Sequence, residues 1–165
     1  MLANELMIDA YGRIKDVVHS TVKGLDKEQL TKRIDHNANT IAWLIWHLAR
    51  VQDDHIAAMA ETEQIWHKGW SDKFNLPFNH DETGYGQSPD EVGQVKVTSE
   101  QLLGYYDEVH EATISYLKHL KEEDYQKVVD NRWQPPVTLA VRLVSVLSDD
   151  LQHVGQAAYV RGLIE

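Results

Sequence analysis

The chain has 165 residues, 42% of them hydrophobic and 25% charged, a formal charge of −10 and no cysteine. That composition describes one globular domain over residues 1–165, long enough to bury a core, and an acidic chain without a basic stripe is a poor match for nucleic acid. Disulfides, thiolate metal sites and a cysteine nucleophile are excluded together, so His, Asp, Glu or water must hold any metal and any thiol must come from outside.

No uncharged apolar run is long enough to span a membrane, and Met1-Leu-Ala-Asn-Glu-Leu6 lacks the basic and apolar regions of a signal peptide. The expectation is a cytoplasmic protein that meets neither membrane nor nucleic acid. Leu6, Ala10, Ile14, Val17, Val18 and Thr21 recur at three- and four-residue spacing, which predicts an amphipathic helix over 3–23 with Gly24 as its stop. A second helix starts at Asn39 or Thr40 as cap and carries Ile41, Leu44, Leu48, Val51, His55 and Met59 inward, with His47 beside that stripe.

Between about 60 and 98 the periodicity fails, and Trp66, Trp70, Phe74, Phe78 and Tyr85 interleave with Gly and Pro. A connection of this length is unusual in a compact domain and serves as a lid, a binding wall or a cover for the open end of a bundle. Thr98 and Gln101 form a capping box for a third helix, whose stripe is Leu102, Leu103, Tyr106, Val109, Thr113, Leu117 and Leu120. After a polar connector with Pro135 and Pro136, a fourth helix runs from Thr138 to about Gly162. Its wide apolar arc predicts the most buried helix of the four. The simplest packing is an all-α, antiparallel four-helix bundle with a long crossover between helices two and three.

Asp149 and His153 stand one turn apart on the core-facing side of helix four, where a carboxylate must be paired, hydrogen-bonded or metal-bound. One account is structural: Arg142, two turns earlier on the same face, or another partner neutralises Asp149 while His153 is a hydrogen-bonded core histidine. The other adds His47 from a facing helix, making two imidazoles and a carboxylate, a ligand set that leaves a coordination position open. Such N/O ligands favour zinc and also accept nickel, iron(II) or manganese. Asp54 is placed to orient a ligand histidine or to serve as a cap or surface ion pair, His55 can reach the cavity or be a hydrogen-bonded core histidine, His110 can line the pocket, and Gly155 and Gln156 read as packing and orientation. His67 and His80 have no constellation behind them.

Trp43-Leu-Ile-Trp-His47-Leu-Ala-Arg50-Val-Gln-Asp-Asp54-His55 and Asp149-Asp-Leu-Gln-His153-Val-Gly-Gln156 resemble the metal-binding helices of the DinB-like superfamily. The branch they resemble is that of mycothiol-dependent maleylpyruvate isomerase and other thiol S-transferases. That resemblance covers nearly the whole chain and implies an up-down-down-up bundle, often a homodimer, with His47, Asp149 and His153 as both metal ligands and catalytic centre. Many members carry histidine at the position of Asp149; the isomerase-like branch carries a carboxylate. The implied activity is transfer or isomerisation through a low-molecular-weight thiol such as mycothiol, acting on an electrophilic substrate, with Arg50 and Arg142 as partners for carboxylates on thiol or substrate. The competing reading is a non-catalytic metal- or ligand-binding bundle, a sensor or sequestering protein.

Overall fold

The computed structural model describes residues 2–164. Four long helices dominate it: α1 (Ala3–Val22), α3 (Ile41–Ala60), α6 (Ser99–His119) and α7 (Leu139–Ile164). Three short helices, α2 (Lys27–Thr31), α4 (Trp70–Phe74) and α5 (Pro89–Val92), punctuate the connections. An antiparallel pair, β1 (Val128–Asp130) with β2 (Val137–Thr138), leads into α7. Neither α2 nor this hairpin was apparent from periodicity, because elements of five residues or fewer are too short to display any. Among the described residues no helix is long and apolar enough to cross a membrane.

Side-chain caps set two helix starts as expected. Thr40 accepts from the Trp43 amide at 3.1 Å, and the Thr98–Gln101 box closes in both directions at 2.8 and 3.2 Å. On α1, Ile14, Val18 and Thr21 face the core as predicted, but Met7 and Tyr11 complete the stripe while Leu6 is exposed.

Pairwise contacts define the direction of each helix. Lys15 and His19 reach Asp107, and Ser99 at the head of α6 bonds the Leu25 carbonyl, so α1 and α6 are antiparallel. Arg161 donates to the carbonyls of Ser20, Thr21 and Lys23 while Tyr11 lies within the field of Asp150, so α1 and α7 are parallel. Trp43 meets His153 and His55 meets Arg142, which makes α3 and α7 antiparallel; α3 and α6, both running against the direction shared by α1 and α7, are therefore parallel. The bundle is therefore up-down-down-up, as the resemblance implies, and the simple up-and-down packing is wrong in connectivity. The long segment after α3 returns the chain to the end from which α3 began.

That return also changes which helix is most buried. In α3, 15 of 20 residues are buried, against 7 of 26 in α7. Trp66, Trp70, Phe74 and Phe78 of the crossover join the core over the face of α3 that periodicity marks as polar, and Trp46, Arg50 and Asp53 lie beneath them. Gly104 on α6 is required by this cover, since a Cβ there would stand 2.6 Å from the Trp70 ring.

Candidate metal centre

His47, two turns into α3, faces Asp149 and His153 of the antiparallel α7. Its Nε2 lies 3.9 Å from Asp149 Oδ2, and His153 Nε2 lies 3.6 Å from Asp149 Oδ1. These separations are too long for good hydrogen bonds and close to the roughly 3.3–3.6 Å between donors around a tetrahedral ion with 2.0–2.2 Å bonds. All three ligand atoms fall within 4.8 Å of one another, and the two imidazole rings meet edge to face at 4.7 Å.

The tautomers follow from the outer contacts. His47 Nδ1–H donates to the Thr83 carbonyl and His153 Nδ1–H to Gln156 Oε1 at 3.2 Å, so both Nε2 lone pairs turn toward Asp149. Asp149 Oδ2 is enclosed without a hydrogen-bond donor among the described residues. A carboxylate with Oδ2 toward one imidazole lone pair and Oδ1 toward the other is a set of three acceptors, which a cation satisfies. The residues fit a divalent metal.

The crossover completes the centre. Trp43 stacks on His47 at 4.6 Å and is held through Nε1–H to Gln87 Oε1, while the Tyr85 ring stands edge-on to His47 at 5.1 Å. Gly84 permits this approach: its φ of +101° suits glycine, and a Cβ there would lie 2.8 Å from His47 Nδ1. Beside the three ligands opens a cleft of about 250 Å3 lined by Val51, His55, Tyr85, Ser145, Ser148, Asp149 and Gln152. Burial lowers the His47 pKa, with the Thr83 bond opposing it. Burial also disfavours a charged His153, but the Asp149 carboxylate and the Gln156 oxygen outweigh it and raise that group.

Several neighbours differ from expectation. Arg142 donates to Asp130 at 2.9 Å and not to Asp149, so the account in which it neutralises Asp149 fails. With His55 and Asp54 it lines an adjoining cleft of about 590 Å3. Arg50 is wholly buried, donates to the Glu82 carbonyl, Gln64 and Tyr105, and lies 3.7 Å from Asp53; it does not line the cleft beside the ligands. Asp54 accepts from Gln64, leaving the orientation of His47 to the Thr83 carbonyl. His55 lines both clefts, whereas His110 turns toward Lys15, Asp16 and His19 of α1. Gln156 orients His153 as expected, but Gly155 is exposed with nothing near its missing Cβ.

The most enclosed carboxylate is Asp150, with no exposed surface and neither oxygen bonded among the described residues. Burial raises its pKa well above the usual carboxylate range, and the Tyr11 and Tyr106 hydroxyls nearby are equally enclosed. Its signal was in the sequence: Leu143, Val146, Asp150, Val154 and Ala157 keep a strict three-four-four-three spacing, so Asp150 continues the core stripe that Asp149 only borders.

A model of the mycothiol-S-transferase family matches residues 10–165. The chain belongs to that family. This mycothiol-S-transferase family member also resembles a crystal structure of a conserved protein of Enterococcus faecalis, with 32% identity, a TM-score of 0.92 and coverage of 99% of this chain and 98% of that one. No curated protein matches it. The DinB-like resemblance and the all-α architecture are thereby upheld, and the three facing side chains lie in a fold shared along the whole chain.

Proposed function

We propose that this family member is a metal-dependent transferase that activates a low-molecular-weight thiol and adds it to an electrophile, or isomerises a substrate through a transient thiol adduct. One observation carries the reading: His47 Nε2, His153 Nε2 and an unpartnered Asp149 oxygen converge beside an open polar cleft. A divalent ion held there, zinc first, with nickel, iron(II) or manganese also compatible, would lower the pKa of a bound thiol so that thiolate exists at neutral pH.

The chain supplies no cysteine, so the thiol is a cosubstrate, and the family description names mycothiol. His47 and His153 present neutral nitrogens whose direction is set by Thr83 and Gln156. Trp43 and Tyr85 hold the His47 ring from two sides. Arg142 and His55 stand at the neighbouring cleft, where Arg142 can meet a carboxylate of the thiol or its acceptor. Arg50 acts indirectly, holding the Glu82 carbonyl one residue before Thr83.

The test compares tag-free, metal-loaded protein with its His47→Ala variant, using a panel of small thiols that includes mycothiol and a generic electrophile. Conjugation above the uncatalysed rate in the parent alone is expected. Equal rates in the two proteins would remove the transferase reading, and full metal loading without turnover would make the protein a binding bundle.

A further inference from the structure

A second set of ligands lies outside the centre, on the crossover. His67 ends the 3-10 turn Ile65–His67, and His80 and Asp81 follow on the return of the same segment. His67 Nε2 lies 3.1 Å from Asp81 Oδ1, and His80 Nδ1 lies 3.6 Å from the same oxygen. The two imidazoles stack at 4.6 Å with only 23° between their planes, and the three ligand atoms fall within 4.8 Å of one another. His80 Nε2 and Ser71 Oγ share a hydrogen bond of 2.9 Å that holds the imidazole with Nδ1 toward Asp81.

Hydrogen bonding alone accounts for half of this arrangement. The His67 contact is an ordinary bond to a carboxylate, but His80 Nδ1 at 3.6 Å is too distant to be one. Separations of 3.1 and 3.6 Å bracket those expected around a small ion with 2.0–2.2 Å bonds to nitrogen and oxygen. The backbone is already held in place: the Ile65 and Trp66 amides donate to the buried Asp53 carboxylate at 2.9 and 2.8 Å, and Trp66 Nε1–H donates to the His80 carbonyl at 2.8 Å. Both ligand-bearing segments are thus fixed from below by α3.

We infer that His67, His80 and Asp81 form a second divalent-metal site that staples the crossover. Two imidazoles and one carboxylate select ions of the zinc, nickel and copper class over magnesium or calcium. Water completes the coordination, since Asp81 and His80 are largely exposed, and the ion is held more weakly than at the buried centre. The staple closes the segment just ahead of Glu82, Thr83 and Gly84, the residues that fasten the crossover to Arg50 and His47. The site does not depend on the transferase reading.

Zinc titration of chelator-stripped, tag-free protein tests it, with bound zinc counted by elemental analysis. The parent should bind two equivalents in two steps. A His67→Ala/His80→Ala protein should lose the weaker equivalent and keep the stronger, and His153→Ala should do the reverse. Unchanged stoichiometry in the double variant, or no zinc on the His153→Ala protein, would overturn the second site. Amide exchange over residues 66–81 supplies an independent reading: zinc should slow it in the parent and not in the double variant, and equal exchange with and without zinc in the parent would overturn the staple. Failure of the central site would appear separately, as full retention of both equivalents in the His153→Ala protein.

Discussion

The Nδ1–H of His47 donates to the carbonyl of Thr83, 36 residues further along the chain, and this bond turns Nε2 toward Asp149. A helix thereby supplies the imidazole while the crossover orients it. Outer contacts of this kind typically change metal affinity by about 10–100-fold when lost.

Gly84→Ala probes that dependence. The new Cβ would meet His47 Nδ1 at 2.8 Å at a φ of +101°, so the loop must move away from the imidazole. Zinc affinity at the central site should fall by about 10-fold or more, and stability by about 1–3 kcal/mol, read by competition titration and urea unfolding. Unaltered affinity would mean that the loop carbonyl does not orient His47.

Asp53 anchors the start of the crossover, accepting from Ile65, Trp66 and the Tyr105 hydroxyl, with Arg50 at 3.7 Å. Asp53→Ala leaves a fully buried guanidinium without its carboxylate, and removing one partner of such a pair costs about 3–5 kcal/mol. The urea midpoint should drop accordingly. A loss under about 1 kcal/mol would show that Arg50 finds adequate alternative acceptors.

His110 predicts the acid limb of the stability curve. Burial, reinforced by Lys15 and His19 and opposed by Asp107 and Asp16, lowers its pKa to about 4. The unfolded imidazole titrates near 6.5. Between those values the unfolded chain binds a proton that the fold does not, so stability is full above about 6.5 and falls as pH drops toward 4. His110→Gln should flatten that part of a melting-temperature profile, and an unchanged slope would remove His110 as its source.

Asp150 has the opposite sign of dependence. Burial raises its folded pKa, so above about 3.9 the unfolded carboxyl ionises while the folded one keeps its proton, and stability declines as pH rises. Asp150→Asn preserves shape and removes the ionisation. Metal-free variant should be more stable than parent at pH 8, with the difference shrinking toward pH 4; a less stable variant at pH 8 would mean that Asp150 is ionised and paired in the fold.

The four long helices, their caps at Thr40 and Thr98, and the inward placement of His47, Asp149 and His153 were legible in the linear chain, because helical periodicity and capping are local properties. Residues four apart on α7 share a face whatever surrounds them. The absence of cysteine limited the metal donors and placed any thiol outside the chain.

Tertiary structure decided the rest. Connectivity turned on the crossover, which the pattern could locate but not route, and its passage over α3 buried Arg50 and Asp53 on a face that reads as polar. The α6–α7 connector took Arg142 to Asp130, while the crossover replaced Asp54 by the Thr83 carbonyl behind His47 and joined His67 to His80 and Asp81. Each of these pairs segments separated by many residues, and no local rule reports such a pairing: the partner is chosen by how packed helices bring distant backbone together, and only then does the chemistry of the side chain decide what the encounter can do.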